Sequence, residues 1–413
     1  MAARRAAGRT GWETDMNFFL RGRAVGREQL LSDALQAVQY LEAKGSEPPV
    51  LMAYNPVARL NPYSAMLYSR LWEHGIAPVP VLRLADLDAL LPLLSAGTRI
   101  MLHLQWTSDV LRDAQTETEA EATDRAAKFV GRLDTFLGAG GRLAWTVHNV
   151  LPHDCRFPQV EAGIQQAVAD RAHLIHVLNQ GTVDAVAEWF TIDPAKVVTI
   201  GHPHYLGCYP DVVSRDQARY DLGLLPDEIV YAFVGVIRPY KGLDLLLDAF
   251  DAVCASRGGP RRLLVAGNAS SDPRTQDAAD RCLLHPQVVL RQGAVPDGEM
   301  QYYLRAADIA VLPYQRSLNS GVLLLALSFG LPVVAPASPA TAGMTTPAAA
   351  RTFQPGDPAA LTQALADADD LLTLAARDAA LRIAEQHDRH QIAEQFAALA
   401  GRVAADWPVA AAG

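Results

Sequence analysis

From residue 28 the chain carries apolar positions at helical spacing, Leu30, Leu31, Ala34, Val38 and Leu41, and the run stops at Gly45. Beyond it the period changes. Short apolar, β-branched runs at 50–54, 100–106, 143–148, 174–179 and 197–201 alternate with helical stretches, which is the βαβ rhythm of a parallel sheet. The second half repeats it, with strands at 229–237, 262–266, 288–291, 309–313 and 332–335 and helices such as 243–255 and 322–329. Between the halves, GHPHYLGCYPD at 201–211 breaks both periods and reads as a linker. A last helix over about 378–405 ends near Trp407 and Pro408.

The predicted class is α/β, with two Rossmann-like, doubly wound domains. An N-terminal arm and helix occupy 1–45, a first Rossmann-like domain 46–205 and a second 206–380; a C-terminal helix at 381–413 packs back on the first domain. Open parallel sheets bind ligands beyond the carboxyl ends of their strands. Two such sheets are therefore expected to face a cleft, each holding one substrate.

Length supports this division, since 413 residues exceed one ordinary core and suit two domains of roughly 150–200 residues. With 50% hydrophobic and 20% charged residues the composition is globular. Apolar runs such as 322–327 fall far short of the roughly 20 residues that span a bilayer, and no signal pattern opens the chain, so a cytoplasmic location is expected. Cys155, Cys208, Cys254 and Cys282 lie far apart, the spacing of neither a zinc site nor a disulfide framework. A net charge of −9 argues against a nucleic-acid partner. Arg4, Arg5, Arg9, Arg21, Arg23 and Arg27 outnumber Glu13 and Asp15 in the first stretch. That arm is either simply solvated or touches an anionic membrane surface.

The strongest chemical signal is VGVIRPYKG at 234–242. Here a strand ends in Gly235 and a turn presents Arg238 and Lys241. Arg engages two phosphate oxygens at once and Lys supplies a point charge, which suits a diphosphate. A second signal is YQRSLNSGVLLLALSFGLP at 314–332. Asn319 and Ser320 are good N-caps, Gly321 lets a ligand approach the backbone, and the N–H groups of the first turn through Val322 attract an anion through the helix dipole. Asn268, after the strand at 262–266, can donate to a phosphate or sugar hydroxyl, and the backbone around Ala294 and Val295 can read a base edge. Each feature alone fits an ordinary loop or capped helix; their combination points to a donor site.

In the first half, TVHNVLPHD places His148, Asn149, His153 and Asp154 directly after a strand. Such groups fit a general base for an acceptor hydroxyl, and equally fit groups that orient hydroxyls. His148, His153 and Asp154 are the candidates for the base. His103, Gln105 and Trp106 in HLQW, with Asn55, Asn61 and Tyr63 in YNPVARLNPY, also end strands and with Asn149 would line the acceptor side. His202 and His204 fall at the hinge. No HExxH, CxxC pair or strand-flanked DxD appears, so no metal site and no cofactor is predicted.

At these residues the chain resembles the two-Rossmann (GT-B) glycosyltransferases, of which family 4 is the largest group. The likeness rests on IRPYKGLDLLLDAF, LVAGN and the helix before GLPVVAP, spaced over roughly residues 50–400. Family 4 enzymes carry two glutamates eight positions apart that contact donor sugar and ribose; Ser317 and Leu325 stand there in this chain. The chain is more similar to the xanthan-type β-mannosyltransferases of glycosyltransferase family 94, through NPYSAMLYSRL, HLQW, TVHNVLPHD, GHPHY, VIRPYKG, GNASSDP and LPYQRSLNSGVLLLALS. That resemblance implies inverting, metal-independent transfer of mannose from GDP-mannose to a lipid-diphosphate-linked oligosaccharide in polysaccharide assembly. It also implies peripheral association with the inner face of the membrane through the lipid-linked acceptor. Alternatives are a UDP- or TDP-sugar transferase acting on a soluble acceptor, a two-Rossmann phosphorylase or epimerase, and a non-catalytic sugar-nucleotide-binding subunit.

Overall fold

A computed structural model describes residues 26–46, 48–58, 61–111, 118–152 and 155–407. The chain forms two compact units, one from 1–201 with 389–413 and the other from 202–388. The N-terminal arm with most of its arginines lies outside the described residues, as do His153 and Asp154.

The first unit holds a six-stranded parallel sheet of order β2-β1-β3-β4-β5-β6. Its strands are β1 (Val50–Asn55), β2 (Ile76–Pro80), β3 (Arg99–Leu104), β4 (Arg142–Val147), β5 (Leu174–Val177) and β6 (Val197–Thr199). β1 and β5 are buried throughout because helices cover both faces, which is why they read as continuous apolar runs. The periodicity gives no sign of β2. Its IAPVP carries two prolines, which a sheet tolerates at an edge, and β2 is the edge strand.

The C-terminal region departs from the single predicted helix. Helix Leu374–Glu385 belongs to the second unit and helix Arg389–Ala405 to the first. Apolar periodicity runs on from Ile383 and Ala384 to Ile392 and Ala393, so the break is invisible in the pattern. At the break the His387 carbonyl accepts the His204 N–H at 2.9 Å instead of continuing a helix. The unit boundaries accordingly fall after 201 and 388, not after 205 and 380. Ile392, Phe396 and Leu399 join Met52, Tyr54, Tyr68 and Leu71 in one core. Trp407 closes that core, its indole N–H donating to the Gly140 carbonyl at 3.1 Å under the Arg142 guanidinium, 4.9 Å from the ring centre.

The second unit repeats the architecture with order β12-β11-β10-β7-β8-β9. Its strands are β7 (Ile229–Val234), β8 (Arg261–Gly267), β9 (Val288–Gln292), β10 (Ile309–Val311), β11 (Val333–Pro336) and β12 (Ala350–Phe353). Edge strand β12, ARTF, is too short and polar to show in the pattern. A buried ion pair ties the sheet's amino end together. Arg219, 1% exposed, donates to Asp308 Oδ2 at 2.7 Å and to the carbonyls of Leu225, Pro226, Glu228 and Ala306. Asp308 also accepts the Val230 N–H at 2.9 Å and the Arg215 guanidinium at 2.8 Å.

Candidate active site

In the second sheet the strand order reverses between β7 and β10, the switch point at which doubly wound sheets open a crevice for ligands. Gly235 directly follows β7 there with φ 114°, and its N–H donates to the Ala266 carbonyl at 2.8 Å. A methyl group on Gly235 would lie 3.2 Å from Lys241 Nζ and 3.7 Å from Val322 Cγ2. These three residues therefore surround one small space. Gly242, with φ 65°, brings the turn against β10, where a methyl group would stand 2.3 Å from the Pro313 carbonyl oxygen. The Gln315 N–H donates to the Tyr240 carbonyl at 2.9 Å and closes the same junction.

Lys241 is buried at 7% exposure, with its ammonium 5.3 Å from the centre of the Tyr314 ring. Burial, with the Arg238 charge added, pushes its pKa down to about 8. A buried cation beside a second cation is costly unless an anion joins them. The helix Gly321–Ser328 begins at Ser320, whose Oγ accepts the Leu323 N–H at 3.2 Å. The Asn319 carbonyl accepts from Ser317 Oγ at 2.8 Å.

A methyl group on Gly321 would meet Tyr205 Oη at 2.8 Å and His202 Nε2 at 3.4 Å, so the missing side chain leaves room for Tyr205 and His202 beside the start of this helix. Asn268 is exposed just past β8, its carbonyl accepting the Ile237 N–H at 2.8 Å, and Val295 is half-buried in the loop after β9. The structure adds Tyr314, Gly242 and Gly267 to the site. A methyl group on Gly267 would lie 2.0 Å from the Gly235 carbonyl oxygen. The two glycines could have been suspected from their positions beside strand ends; Tyr314 has no local signal.

The first sheet has its own reversal, between β1 and β3. Asn55 ends β1 and Gln105 directly follows β3, and the Gln105 N–H donates to the Asn55 carbonyl at 2.8 Å. His148, one residue past β4, lies stacked on Trp106 with ring centroids 4.2 Å apart and meets Tyr63 edge-on at 5.1 Å. Its Nε2 lies 2.8 Å from Gln105 Oε1. Asn149 is half-buried next to it, and Asn61 Oδ1 accepts the Tyr63 N–H at 3.0 Å. His103, Gln105 and Asn55 are buried, unlike the open acceptor-lining groups expected from their positions. His103 packs on Phe396 at 5.1 Å between Tyr68 and Thr146, and Asn55 Nδ2 donates to the Val81 carbonyl at 2.7 Å. His103 and Gln105 sit behind His148 because residues two apart on a β-strand share a face and the covering helix lies over that face, whereas Asn55, paired with Leu104, lies on the opposite face.

Residues 228–368, which contain the whole β7–β10 switch point, match the family described as glycosyl transferases group 1. The chain carries a group 1 glycosyltransferase domain on a GT-B fold. Among relatives, this glycosyltransferase is 28% identical over 296 residues to GDP-mannose:glycolipid 4-beta-D-mannosyltransferase of Xanthomonas campestris pv. campestris, covering 70% of this chain and 73% of the relative. It is 34% identical over 182 residues to the D-inositol 3-phosphate glycosyltransferase of Actinosynnema mirum, covering 42% and 43%. Among solved structures, HepE of Anabaena in complex with UDP and glucose superposes with TM-score 0.62 at 15% identity, over 86% of this chain and all of that one. WaaG, a glycosyltransferase involved in lipopolysaccharide biosynthesis, does so with TM-score 0.59 at 16% identity, over 85% and 99%. Among the described residues, no helix of the glycosyltransferase is long and apolar enough to cross a membrane.

Proposed function

We propose that this glycosyltransferase transfers mannose from GDP-mannose, with inversion and without a metal ion, to a lipid-diphosphate-linked oligosaccharide in polysaccharide assembly. The observation that carries this reading is the likeness to the Xanthomonas mannosyltransferase over 70% of the chain. That stretch is longer than the 202–388 unit and so takes in part of the other unit, whereas the likeness to the inositol-phosphate enzyme spans only 42%.

In the proposed mechanism Arg238, Lys241 and the first turn of helix Gly321–Ser328 hold the donor diphosphate. The acceptor hydroxyl oxygen attacks the anomeric carbon as the bond from that carbon to the diphosphate oxygen breaks. Negative charge then grows on the diphosphate, where fixed cations and helix N–H groups stabilise it. His148 takes the hydroxyl proton. Inversion is supported by Ser317 and Leu325 at the positions of the two family 4 glutamates; Leu325 is buried in the apolar helix and offers no carboxylate. The lipid of the acceptor holds the enzyme at the membrane surface.

A thermal-shift panel of GDP-, UDP-, TDP- and ADP-sugars tests the donor, because selective binding stabilises the folded state. A shift confined to GDP-mannose, followed by transfer of labelled mannose to a lipid-diphosphate oligosaccharide as the β-anomer with EDTA present, is the expected result. A UDP- or TDP-selective shift, an α-linked product or loss of transfer in EDTA overturns the corresponding part.

A further inference from the structure

Behind His148 runs a continuous line of hydrogen bonds that ends on a backbone carbonyl. Strand register builds it: Thr146 lies opposite His176 on the neighbouring strand, and His103 pairs with Ala144, two residues before Thr146. All of these side chains share one face, as do Gln105, two residues past His103, and His148, two past Thr146. His148 Nε2 meets Gln105 Oε1 at 2.8 Å, Gln105 Nε2 meets Tyr68 Oη at 2.6 Å, and Tyr68 Oη meets His103 Nδ1 at 2.7 Å. His103 Nε2 then meets Thr146 Oγ1 at 2.8 Å, Thr146 Oγ1 meets His176 Nδ1 at 3.0 Å, and His176 Nε2 meets the Ile200 carbonyl oxygen at 2.8 Å.

The direction of this line follows from its end. A carbonyl oxygen only accepts, so His176 donates from Nε2 to Ile200. Burial lowers the His176 pKa to about 4 and that of His103 well below its usual value, so each ring carries one proton. His176 Nδ1 must then accept, and the Thr146 hydroxyl spends its single proton on it. Thr146 Oγ1 accepts from His103 Nε2–H, which leaves His103 Nδ1 to accept the Tyr68 phenol proton. The phenol oxygen accepts from the Gln105 amide N–H, and Gln105 Oε1 faces His148 as an acceptor. The reverse direction would put His176 Nε2, without a proton, against the Ile200 oxygen.

We propose that this buried line, anchored at the Ile200 carbonyl, sets the tautomer of His148, holding its proton on Nε2 and leaving Nδ1 as the basic nitrogen. Gln105, Tyr68, His103, Thr146 and His176 are positioning residues. The inference rests on the reading of His148 as the base, but its tautomer is measurable without turnover. A base that must accept a proton from a hydroxyl gains from having the other nitrogen occupied, and an orienting partner on a catalytic histidine does this elsewhere.

The test is long-range proton–nitrogen NMR of the full chain labelled with nitrogen-15 histidine, assigned by single histidine substitutions. His148, His103 and His176 should all show the Nε2–H form at neutral pH. Nδ1–H at His148, or an averaged mixture, overturns the proposal. Thr146→Val breaks the line four hydrogen bonds away from His148. It should average the His148 tautomer and lower kcat by about 10- to 100-fold with donor KM unchanged, while Thr146→Ser restores both. An unchanged His148 spectrum in a folded Thr146→Val protein overturns the proposal, and Gln105→Met, adjacent to His148, gives the same readout should Thr146→Val fail to fold. The base reading is tested separately: if His148→Ala keeps full kcat that reading falls, whatever tautomer the NMR records.

Discussion

The Lys241 ammonium lies 5.3 Å from the centre of the Tyr314 ring, so the cation after β7 is seated on an aromatic face supplied by the loop after β10. The contact partly compensates burial of the charge, since a desolvated cation over a ring gains up to about 2 kcal/mol. The compensation is incomplete, because the Lys241 pKa stays near 8.

Donor affinity should therefore depend on pH. Below about 8 Lys241 is charged and binds the diphosphate; as pH rises through that value the unoccupied site loses its proton and affinity falls. Titration calorimetry with a nucleoside diphosphate from pH 7 to 9.5, in buffers of different ionisation enthalpy, should show weakening affinity and proton uptake on binding near pH 8. Flat affinity and no proton uptake would rule the role out. Stability of the unliganded protein runs the other way. The folded pKa is depressed below the unfolded value, so the penalty on folding is present in full below about 8 and fades as pH rises from there toward the usual lysine value.

Gly235→Ala should weaken nucleotide binding more than it weakens the fold. The new methyl would crowd Lys241 Nζ and Val322 from a backbone at φ 114°. Strain at such a position costs about 1–3 kcal/mol. Nucleoside-diphosphate Kd and Tm measured together check this, with a change in Tm alone as the contrary outcome.

His148→Ala should lower kcat by about 10²- to 10⁴-fold, the range for a lost general base. Nucleoside-diphosphate affinity should be unchanged, because His148 belongs to the 1–201 and 389–413 unit and Arg238 and Lys241 to the other. Trp106→Ala, which removes the ring stacked on His148 at 4.2 Å, should lower kcat in the same direction by less. Steady-state kinetics beside calorimetry tests both.

Asp308→Ala should destabilise the second unit strongly. It leaves the Arg219 guanidinium buried at 1% exposure without its carboxylate and takes the partner from the Val230 N–H. Removing one member of a buried pair costs about 3–5 kcal/mol. Chemical denaturation reads the loss, and a change under 1 kcal/mol would mean that the pair behaves like a solvent-exposed one.

Much of the β7–β10 crevice is legible in the chain because it is local. Gly235, Arg238 and Lys241 lie within one strand-to-helix turn, and Ser320 caps the helix it precedes. The strand ends of the first sheet are less so. TVHNV and HLQW announce polar groups at strand ends, yet nothing nearby says that His148 remains half-exposed on Trp106 while His103 disappears beneath Phe396.

The sequence by itself determined the α/β class, the two sheets and the placing of Arg238 and Lys241 in one strand-to-helix turn, since each is written in periodicity or in residues a few positions apart. Only the tertiary structure decided that prolines at 78 and 80 sit in an edge strand and that the last helical stretch divides between the units. It also decided that Tyr314 lies under Lys241 and that His148 is the end of a line reaching Ile200. These depend on strand order, register and burial, which join residues far apart in the chain and leave no local pattern to read.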